Sequence, residues 1–286
     1  MIAIADSGST KSSWVFVDKD NKTYKYKTIG INPYYQSIDD IYGSLEKELK
    51  PAFEFTVPVE KIFFYGAGLE LETQRAQVAQ AIKKSFPNTE IHVEHDLLAA
   101  ARAVLGDEEG IACISGTGSN TCYYDGKDVV RNVHSLGLFL GDEGSGGYLG
   151  KLIARDYIRL SMPEDVKKKF ESFTTDRAEQ ILDKVYTKPF PNRYLASLAP
   201  FVIQNQSDPY CYQLAYDNFN LMFENCIMKY NNHEKVEINF IGSIAAHLVD
   251  VLKKVASDKG LKIGKVIGNP LDALTQYHFK KTSLLA

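Results

Sequence analysis

Apolar and polar positions in the first part of the chain recur with spacings that predict alternating strands and helices. Short apolar or alternating runs that end at turn residues are typical of strands, whereas apolar residues three and four positions apart are typical of helices. Glycine and proline mark the points where the predicted helices stop. The resulting order is βββ-α-β-α-β-α, with strands at 2–5, 13–17, 23–29, 61–65 and 90–93 and helices at 37–50, 72–86 and 96–105.

The same order of elements begins again in the second part of the chain. Strands are predicted at 110–114, 120–124, 129–133, 236–241 and 262–267, and helices at 146–160, 245–256 and 271–278. An all-helical stretch at about 163–230 interrupts this order, and without it the second part repeats the first. We therefore expect an α/β fold of two copies of one lobe, 1–108 and 109–286. The C-terminal helix, 271–286, is a candidate to pack on the first lobe.

Composition narrows the class of protein. The 286 residues include 33 Lys and Arg against 36 Asp and Glu, so the net charge of −3 gives no basic surface for a nucleic-acid partner. Hydrophobic residues make up 44%, which is enough for a globular core. The N-terminal segment lacks a basic stretch and meets Asp6 at once, and no long apolar run is present, so neither a signal peptide nor a membrane partner is expected. The four scattered cysteines predict buried thiols in a reducing cytoplasm.

In each predicted lobe, a turn of small residues follows the first strand. The two turns are DSGSTK at 6–11 and SGTGSN at 115–120. Turns of this kind expose backbone N–H groups and hydroxyls that can hold an anion, although ordinary tight hairpins use the same residues. Their equivalent positions in repeated lobes favour a pair of phosphate-binding turns. The candidate residues are Gly8, Ser9, Thr10, Lys11, Gly116, Thr117 and Gly118.

Two common nucleotide-binding motifs are absent from the sequence. A P-loop requires glycine directly before its lysine, and Lys11 follows Thr10. A Rossmann fingerprint opens a helix, whereas Gly8 and Gly118 lead into predicted strands. A nucleotide would therefore have to be held in another way.

The chain resembles the actin-like ATPase superfamily, and within it the family of N-acetylglucosamine kinases and benzoyl-CoA reductase ATPase subunits. The resemblance extends over nearly the whole chain and is carried by six segments in order: 6–12, Asn32, Asp96, 115–120, 141–146 and Gly242-Ser243. It implies two actin-like (ribonuclease H-like) lobes with a nucleotide cleft between them. It also implies a cytoplasmic, ATP- and Mg²⁺-dependent kinase that phosphorylates N-acetylglucosamine or a related amino sugar.

The resemblance also implies roles for particular residues. Asp6 would help to hold Mg²⁺, and Asp96 would be the base that accepts a proton from the attacking sugar hydroxyl. Gly242 and Ser243 would flank the adenosine, and the two turns would hold the phosphates. The residues implied to contact the sugar are Asn32, Asp96, Gly137 and Asp142.

Each of these residues also has a simpler structural interpretation. Asp6 and Asn32 could be turn residues, Asp96 and Asp142 could cap helices, and the Gly242-Ser243 pair could be a plain turn between a strand and a helix.

The sequence departs from the family at the segment expected near the sugar. Leu136-Gly137-Leu138 stands where kinases of N-acetylglucosamine typically have Trp-Gly-His, so the sequence leaves the identity of the sugar open. It also leaves open whether the protein forms a homodimer.

Two other functions fit parts of the sequence. An ATPase activator of the benzoyl-CoA reductase type would need cysteines for an iron–sulfur cluster, and Cys113 and Cys122 look like core residues. A sensor without catalysis would bind sugar or nucleotide without turning over ATP.

Overall fold

The computed structural model describes residues 1–8, 11–52 and 58–283. Ser9 and Thr10, two of the residues predicted to bind phosphate, lie outside the described residues. The strands are β1 (Ile2–Ser7), β2 (Lys11–Val17), β3 (Thr23–Ile29), β4 (Lys61–Gly66), β5 (Glu90–His95), β6 (Glu109–Ser115), β7 (Ser119–Asp125), β8 (Val129–Val133), β9 (Ile238–Ile241) and β10 (Ile263–Ile267).

The helices follow the predicted order closely. They are α1 (Ile38–Ser44), α2 (Glu72–Ser85), α3 (Asp96–Leu105), α4 (Gly137–Leu140), α5 (Gly146–Ile158), α6 (Glu164–Phe173), α7 (Ala178–Tyr186), α8 (Pro191–Ala196), α9 (Ala199–Gln204), α10 (Pro209–Asn225), α11 (Ser243–His247), α12 (Val249–Asp258) and α13 (Leu271–Ser283). Helix α1 continues as a π-helical turn, Leu45–Leu49, and a 3-10 turn, Lys50–Ala52. Ser37 caps α1, in a capping box with Asp40.

The chain divides into two compact units, Met1–Gly106 with Pro270–Ala286, and Asp107–Asn269. The described strands of the first unit form a mixed sheet in the order β3-β2-β1-β4-β5, and those of the second form a sheet in the order β10-β9-β6-β7-β8. In both, the first strand pairs antiparallel with the second and parallel with the fourth. The predicted repeat of one α/β topology is therefore confirmed.

The two faces of the first sheet pack against different helices. Trp14 and Phe64 are completely buried in the cluster that includes Ile41 of α1 and Val78 of α2. On the opposite face, α13 contacts β1, β2 and α3. Phe63 stacks on the ring of His278 from α13 with 3.8 Å between ring centroids. Apolar burial of this kind is the main contribution to the stability of each unit.

The core of the second unit joins its sheet to the helices inserted between β8 and β9. Buried residues from both form one cluster, which includes Ile111, Cys113, Phe240, Ile153, Phe170, Phe201, Phe219 and Leu252. The predicted all-helical stretch is therefore part of the core of this unit. All four cysteines are buried thiols outside any disulfide, as predicted. No helix within the described ranges is long and apolar enough to cross a membrane.

Two helix predictions were wrong in detail. The single helix predicted at 245–256 begins earlier and is broken at Leu248, which separates α11 from α12. Helix α4 was not predicted, and it begins directly after Leu136, whose φ of 63° is left-handed. A helix of four residues is only about one turn long, which is too short to show the apolar spacing that identifies a helix in a sequence.

Candidate active site

The carboxyl ends of the parallel strands β1, β4 and β5 lie at one edge of the first sheet. Asp6 is paired in register with Tyr65 of β4, which is paired with Glu94 of β5. Asp96 follows β5 directly and is the first residue of α3. Because ligands of open α/β sheets bind beyond the carboxyl ends of the strands, this edge is the expected place for a site. It brings the predicted residues Asp6 and Asp96 together.

Asp96 is held in a partly buried position that disfavours its charged form. Burial, together with the charges of Glu70 and Asp6, raises the pKa of Asp96 to about 7, and hydrogen bonds from backbone N–H groups oppose this shift. The N-cap of α3 is His95, whose ring accepts a hydrogen bond from the N–H of Leu98 at 3.3 Å. The N-cap is therefore His95 and not Asp96, although Asp96 still places a carboxylate in the first turn of the helix.

Asp6 is also a buried carboxylate, and a bound cation would neutralise its charge. Burial raises its pKa to about 6, and the charge of Lys11 only partly offsets this effect. The Asp6 carboxylate accepts no hydrogen bond from any residue that the structure describes. No group of three or more His, Cys, Asp or Glu side chains that could hold a metal ion is found in the described residues. Mg²⁺ usually keeps several waters and binds few carboxylates, so a single free carboxylate fits it.

The first predicted phosphate turn is closed by a hydrogen bond from the N–H of Gly8 to the carbonyl of Lys11 at 3.0 Å. The Ser7 hydroxyl is engaged in hydrogen bonds with residues of the same unit. It is hydrogen-bonded to the Ser12 hydroxyl at 2.7 Å and accepts from the N–H of Ile31 at 3.0 Å. These bonds fix the start of the loop that carries Asn32.

Asn32 lies beside the turn that follows β4. Its Oδ1 accepts a hydrogen bond from the N–H of Tyr34 at 3.0 Å, so the residue does shape a turn. A Cβ on Gly68, whose φ is +75°, would lie 3.1 Å from the same oxygen. The Nδ2 of Asn32 donates to none of the described residues.

In the second unit the predicted phosphate-binding turn at 115–120 joins β6 to β7 as a hairpin. Backbone hydrogen bonds link this hairpin to the start of α5. The N–H groups of Gly146 and Gly147 donate to the carbonyls of Gly116 and Thr117 at 2.8 and 2.9 Å. The hairpin N–H groups of Thr117 and Gly118 donate to no acceptor in the described part of the chain. Free, adjacent N–H groups of this kind are suited to bind an anion.

Asp142 lies against this hairpin in a left-handed conformation, with φ of 65°. The residue is 7% exposed, and its carboxylate adjoins Gly118 and accepts a hydrogen bond from the N–H of Ser119 at 3.5 Å. Burial raises the pKa of Asp142, against the opposing effects of the Ser119 N–H, the Ser135 hydroxyl and the charge of Lys151. The N-cap of α5 is Ser145, so a capping role for Asp142 is wrong.

Gly137 is the first residue of α4, with φ of +71°. Nothing lies within 4 Å of the position that its Cβ would take, so space is open on this side of the residue. The neighbouring Leu136 is 63% exposed. An apolar side chain is therefore presented where the family typically has an aromatic one.

A cavity of about 340 Å³ adjoins the hairpin in the second unit. This volume lies in the range of small-molecule sites. Gly242 follows β9 and precedes Ser243 of the lining. Its φ is +125°, and a Cβ there would lie 2.1 Å from the Ser115 carbonyl oxygen, so only glycine fits. The lining residues are Gly116, Thr117, Gly146, Ala196, Pro200, Ile203, Gln204, Ser243, Ile244 and His247.

The structure thus groups the predicted residues within each unit. The first unit holds Asp6, Gly8, Lys11, Asn32 and Asp96, and the second holds Gly116–Gly118, Gly137, Asp142, Gly242 and Ser243. The cavity residues contributed by α8 and α9 were missed. They are ordinary helix residues far from any motif in the sequence, so no local signal could have identified them.

Solved structures provide the comparison with known proteins. A Porphyromonas gingivalis protein proposed to be an N-acetylglucosamine kinase is 39% identical, with a TM-score of 0.93 over 98% of this chain and 99% of that one. A Chromobacterium violaceum protein with the same proposed activity is 16% identical, with a TM-score of 0.72 over 96% and 98% of the two chains. A Cytophaga hutchinsonii protein proposed to be a sugar kinase is 14% identical, with a TM-score of 0.55 over 93% and 94%. The chain matches no protein-family model and no curated protein sequence.

Proposed function

Because the chain belongs to the N-acetylglucosamine kinase family of the actin-like ATPase superfamily, we propose that it transfers the γ-phosphoryl group of ATP to a hydroxyl of N-acetylglucosamine or a related amino sugar. The observation that carries this proposal is Asp96, a partly buried carboxylate with a pKa of about 7 at the carboxyl edge of a parallel sheet. The identity of the sugar rests on the Porphyromonas gingivalis relative.

Asp96 is the proposed general base. A base is most effective when its pKa lies near the working pH, because it is then ionised and still binds a proton well. The neighbouring charges of Glu70 and Asp6 favour acceptance of a proton by Asp96. In the proposed step, Asp96 removes the proton from the attacking sugar hydroxyl, whose oxygen forms a bond to the γ-phosphorus as the bond to the ADP oxygen breaks.

Asp6 is the proposed carboxylate for the hydrated Mg²⁺ that accompanies the nucleotide. Its partly buried carboxylate without a hydrogen-bond partner in the described residues supports this role. When bound, Mg²⁺ would neutralise charge on the phosphates. Lys11 adds a positive charge in the same unit.

The second unit supplies the proposed nucleotide site. The cavity beside Gly242 and Ser243 has the size and the mainly apolar lining that suit an adenosine group. The free N–H groups of Thr117 and Gly118 are proposed to bind phosphate oxygens. Because these donors are fixed by the hairpin, they are oriented before the ligand arrives.

The proposed sugar contacts are Asn32, Asp96, Gly137 and Asp142. The free Nδ2 of Asn32 and the carboxylate of Asp142 are the polar groups that support this assignment. Leu136 and Leu138 replace the aromatic and imidazole side chains of the family, so we expect hydrogen bonds from this segment to the sugar to come from backbone groups only.

A coupled assay of ADP release against a panel of hexoses and N-acetylhexosamines tests the proposal. We expect sugar-dependent ADP release, strongest with an N-acetylated amino sugar, and a phosphorylated sugar detected by mass spectrometry. The Asp96→Asn variant is the control for contaminating kinases. ATP hydrolysis that no sugar stimulates would contradict the proposal, and sugar binding without ADP release would support a sensor.

A further inference from the structure

Asn218 is a buried polar residue that the sequence motifs do not include. It lies on α10, in the helical insertion of the second unit, and its exposed fraction is 0%. A buried amide is costly unless its donor and acceptor are both satisfied. The partners of Asn218 therefore indicate what the residue is for.

Both ends of the Asn218 side chain bind the backbone of the 141–146 turn. Its Oδ1 accepts a hydrogen bond from the N–H of Gly144 at 2.7 Å, and its Nδ2 donates to the carbonyl of Ser145 at 3.2 Å. Met222, one helical turn further along α10, leaves no room for a side chain at Gly144, since a Cβ there would lie 2.1 Å from its Sδ. The 141–146 turn therefore packs directly against helix α10.

The same turn is fixed from its other side by the sheet. The Ser115 hydroxyl donates to the carbonyl of Gly144 at 2.6 Å. Asp142 begins the left-handed part of the turn, and Ser145 donates back to the Asp142 carbonyl at 3.1 Å. A shift of Gly144 and Ser145 would therefore move Asp142 away from the hairpin at Gly118.

We propose that Asn218 is a positioning residue that holds Asp142 against the hairpin, so that the helical insertion sets the affinity for the phosphoryl acceptor. The inference rests on the proposed function, because it takes Asp142 as an acceptor contact. Asn218 itself touches no reacting group in this assignment.

The chemistry at position 218 requires an amide. Aspartate has the same shape, but in place of the Nδ2 donor it would bring a carboxylate oxygen against the carbonyl oxygen of Ser145. Leucine would leave the N–H of Gly144 without its Asn218 acceptor. It would also remove one of the two donors to the carbonyl of Ser145, which accepts from the N–H of Leu149 as well. Each change removes a buried hydrogen bond, which is typically worth a factor of about ten or more in an equilibrium constant.

The kinetic test uses N218D and N218L, with N220D as the matched control. Asn220 lies two residues away on the same helix, where its Nδ2 donates an exposed hydrogen bond to the Glu224 carboxylate at 3.1 Å. We expect the KM for the acceptor to rise by about tenfold or more in both Asn218 variants and to change little in N220D. An unchanged acceptor KM in folded N218D would overturn the proposal.

A double-mutant comparison separates positioning from general damage. If Asn218 acts through Asp142, the acceptor KM of D142N/N218D should stay close to that of D142N alone. If the two effects multiply, Asn218 acts independently of Asp142 and the proposal is wrong.

Hydrogen exchange provides a readout that does not depend on activity. We expect the amides of residues 141–147 to exchange faster in N218D than in N220D, while those of α5 beyond Leu149 change little. Faster exchange in a protein that phosphorylates no sugar would refute the proposed function and leave the structural role of Asn218 intact. Unchanged exchange would overturn the positioning role itself.

Discussion

At the scale of single residues, the carboxylates of the first unit differ in what surrounds them. The negative charges of Glu70 and Asp6 disfavour the ionised form of Asp96 and so add to the effect of burial on its pKa. Asp6 has Lys11 as an opposing charge. Burial raises the pKa of both carboxylates, and their different neighbours, acidic for Asp96 and basic for Asp6, fit the proposed roles of base and cation ligand.

Replacement of Asp96 by asparagine tests the role of the base. The amide keeps the shape of the side chain but cannot accept a proton, so we expect kcat to fall by about 10²–10⁴-fold. The dissociation constant for an ATP analogue, measured by calorimetry, should change little. Turnover close to that of the unmodified protein would remove Asp96 from this role.

The pH dependence of catalysis follows from the raised pKa of Asp96. The base acts only when it is ionised, so kcat/KM should rise with pH and level off above an apparent pKa of about 7. Because Asp6 contributes to the shift, the apparent pKa belongs to the pair of carboxylates. The D6N variant, with one negative charge fewer, should show a lower apparent pKa in whatever activity remains. A flat profile between pH 5.5 and about 8 would contradict this prediction.

At the scale of elements, the turns of the second unit depend on close backbone approach. Gly242 has φ of +125° and adjoins the Ser115 carbonyl, which leads into the hairpin of Gly116. A side chain at this position would have to displace the hairpin from β9. The geometry of the candidate nucleotide site therefore depends on the glycine that directly follows strand β9.

The G242A variant tests this dependence. The added methyl would lie 2.1 Å from a backbone oxygen, so we expect a loss of about 2–4 kcal/mol in the free energy of unfolding, measured with urea and circular dichroism. Gly260 has φ of +68° with nothing within 4 Å of its added Cβ, so G260A measures backbone strain alone, at about 1–2 kcal/mol. Equal losses in the two variants would show that the contact with Ser115 is unimportant.

The strands were predictable because their apolar positions recur with a period of two and their turns contain Gly, Asp and Asn. Helix α3 was equally clear, and Gly106 ends it with φ of +67°. The break at Leu248 was missed because apolar spacing continues through it. The roles of Ser7 and Asn218 depend on partners distant in the sequence, Ile31 and Gly144, which no local pattern specifies.

At the scale of the whole molecule, α13 returns to the sheet of the first unit. His278 is 4% exposed, stacks on Phe63 and is hydrogen-bonded to the Tyr65 hydroxyl at 2.7 Å. Arg102 of α3 donates to the same hydroxyl at 2.8 Å. These contacts tie α13 to the helix that begins with Asp96.

The titration of His278 predicts a pH-dependent contribution to stability. Burial and the charge of Arg102 lower its pKa to about 3, whereas an unfolded histidine has a pKa near 6.5. Since the unfolded chain binds a proton that the native one does not, this contribution is present above pH 6.5 and is lost as the pH falls towards 3. Between pH 7.5 and 5 the loss should be about 2 kcal/mol.

Comparison with H278F isolates this effect, because phenylalanine keeps the stacking and does not titrate. The advantage of the unmodified protein over H278F should shrink as the pH is lowered from 7.5 to 5. Y65F removes the same hydrogen bond and keeps the histidine, so its pH dependence should match that of the unmodified protein. Fluorescence of the single tryptophan, Trp14, reports on this unit. Parallel curves for H278F and the unmodified protein would contradict the assignment.

The return of α13 has a consequence for synthesis on the ribosome. The second unit is one continuous segment, whereas the first lacks α13, which packs beside α3, until the whole of residues 107–269 has been translated. Until then Phe63 lacks the stacking contact with His278, and Tyr65 lacks the hydrogen bond to it. The unit whose residues emerge first is therefore completed last, and a nascent chain arrested before residue 270 would lack both contacts.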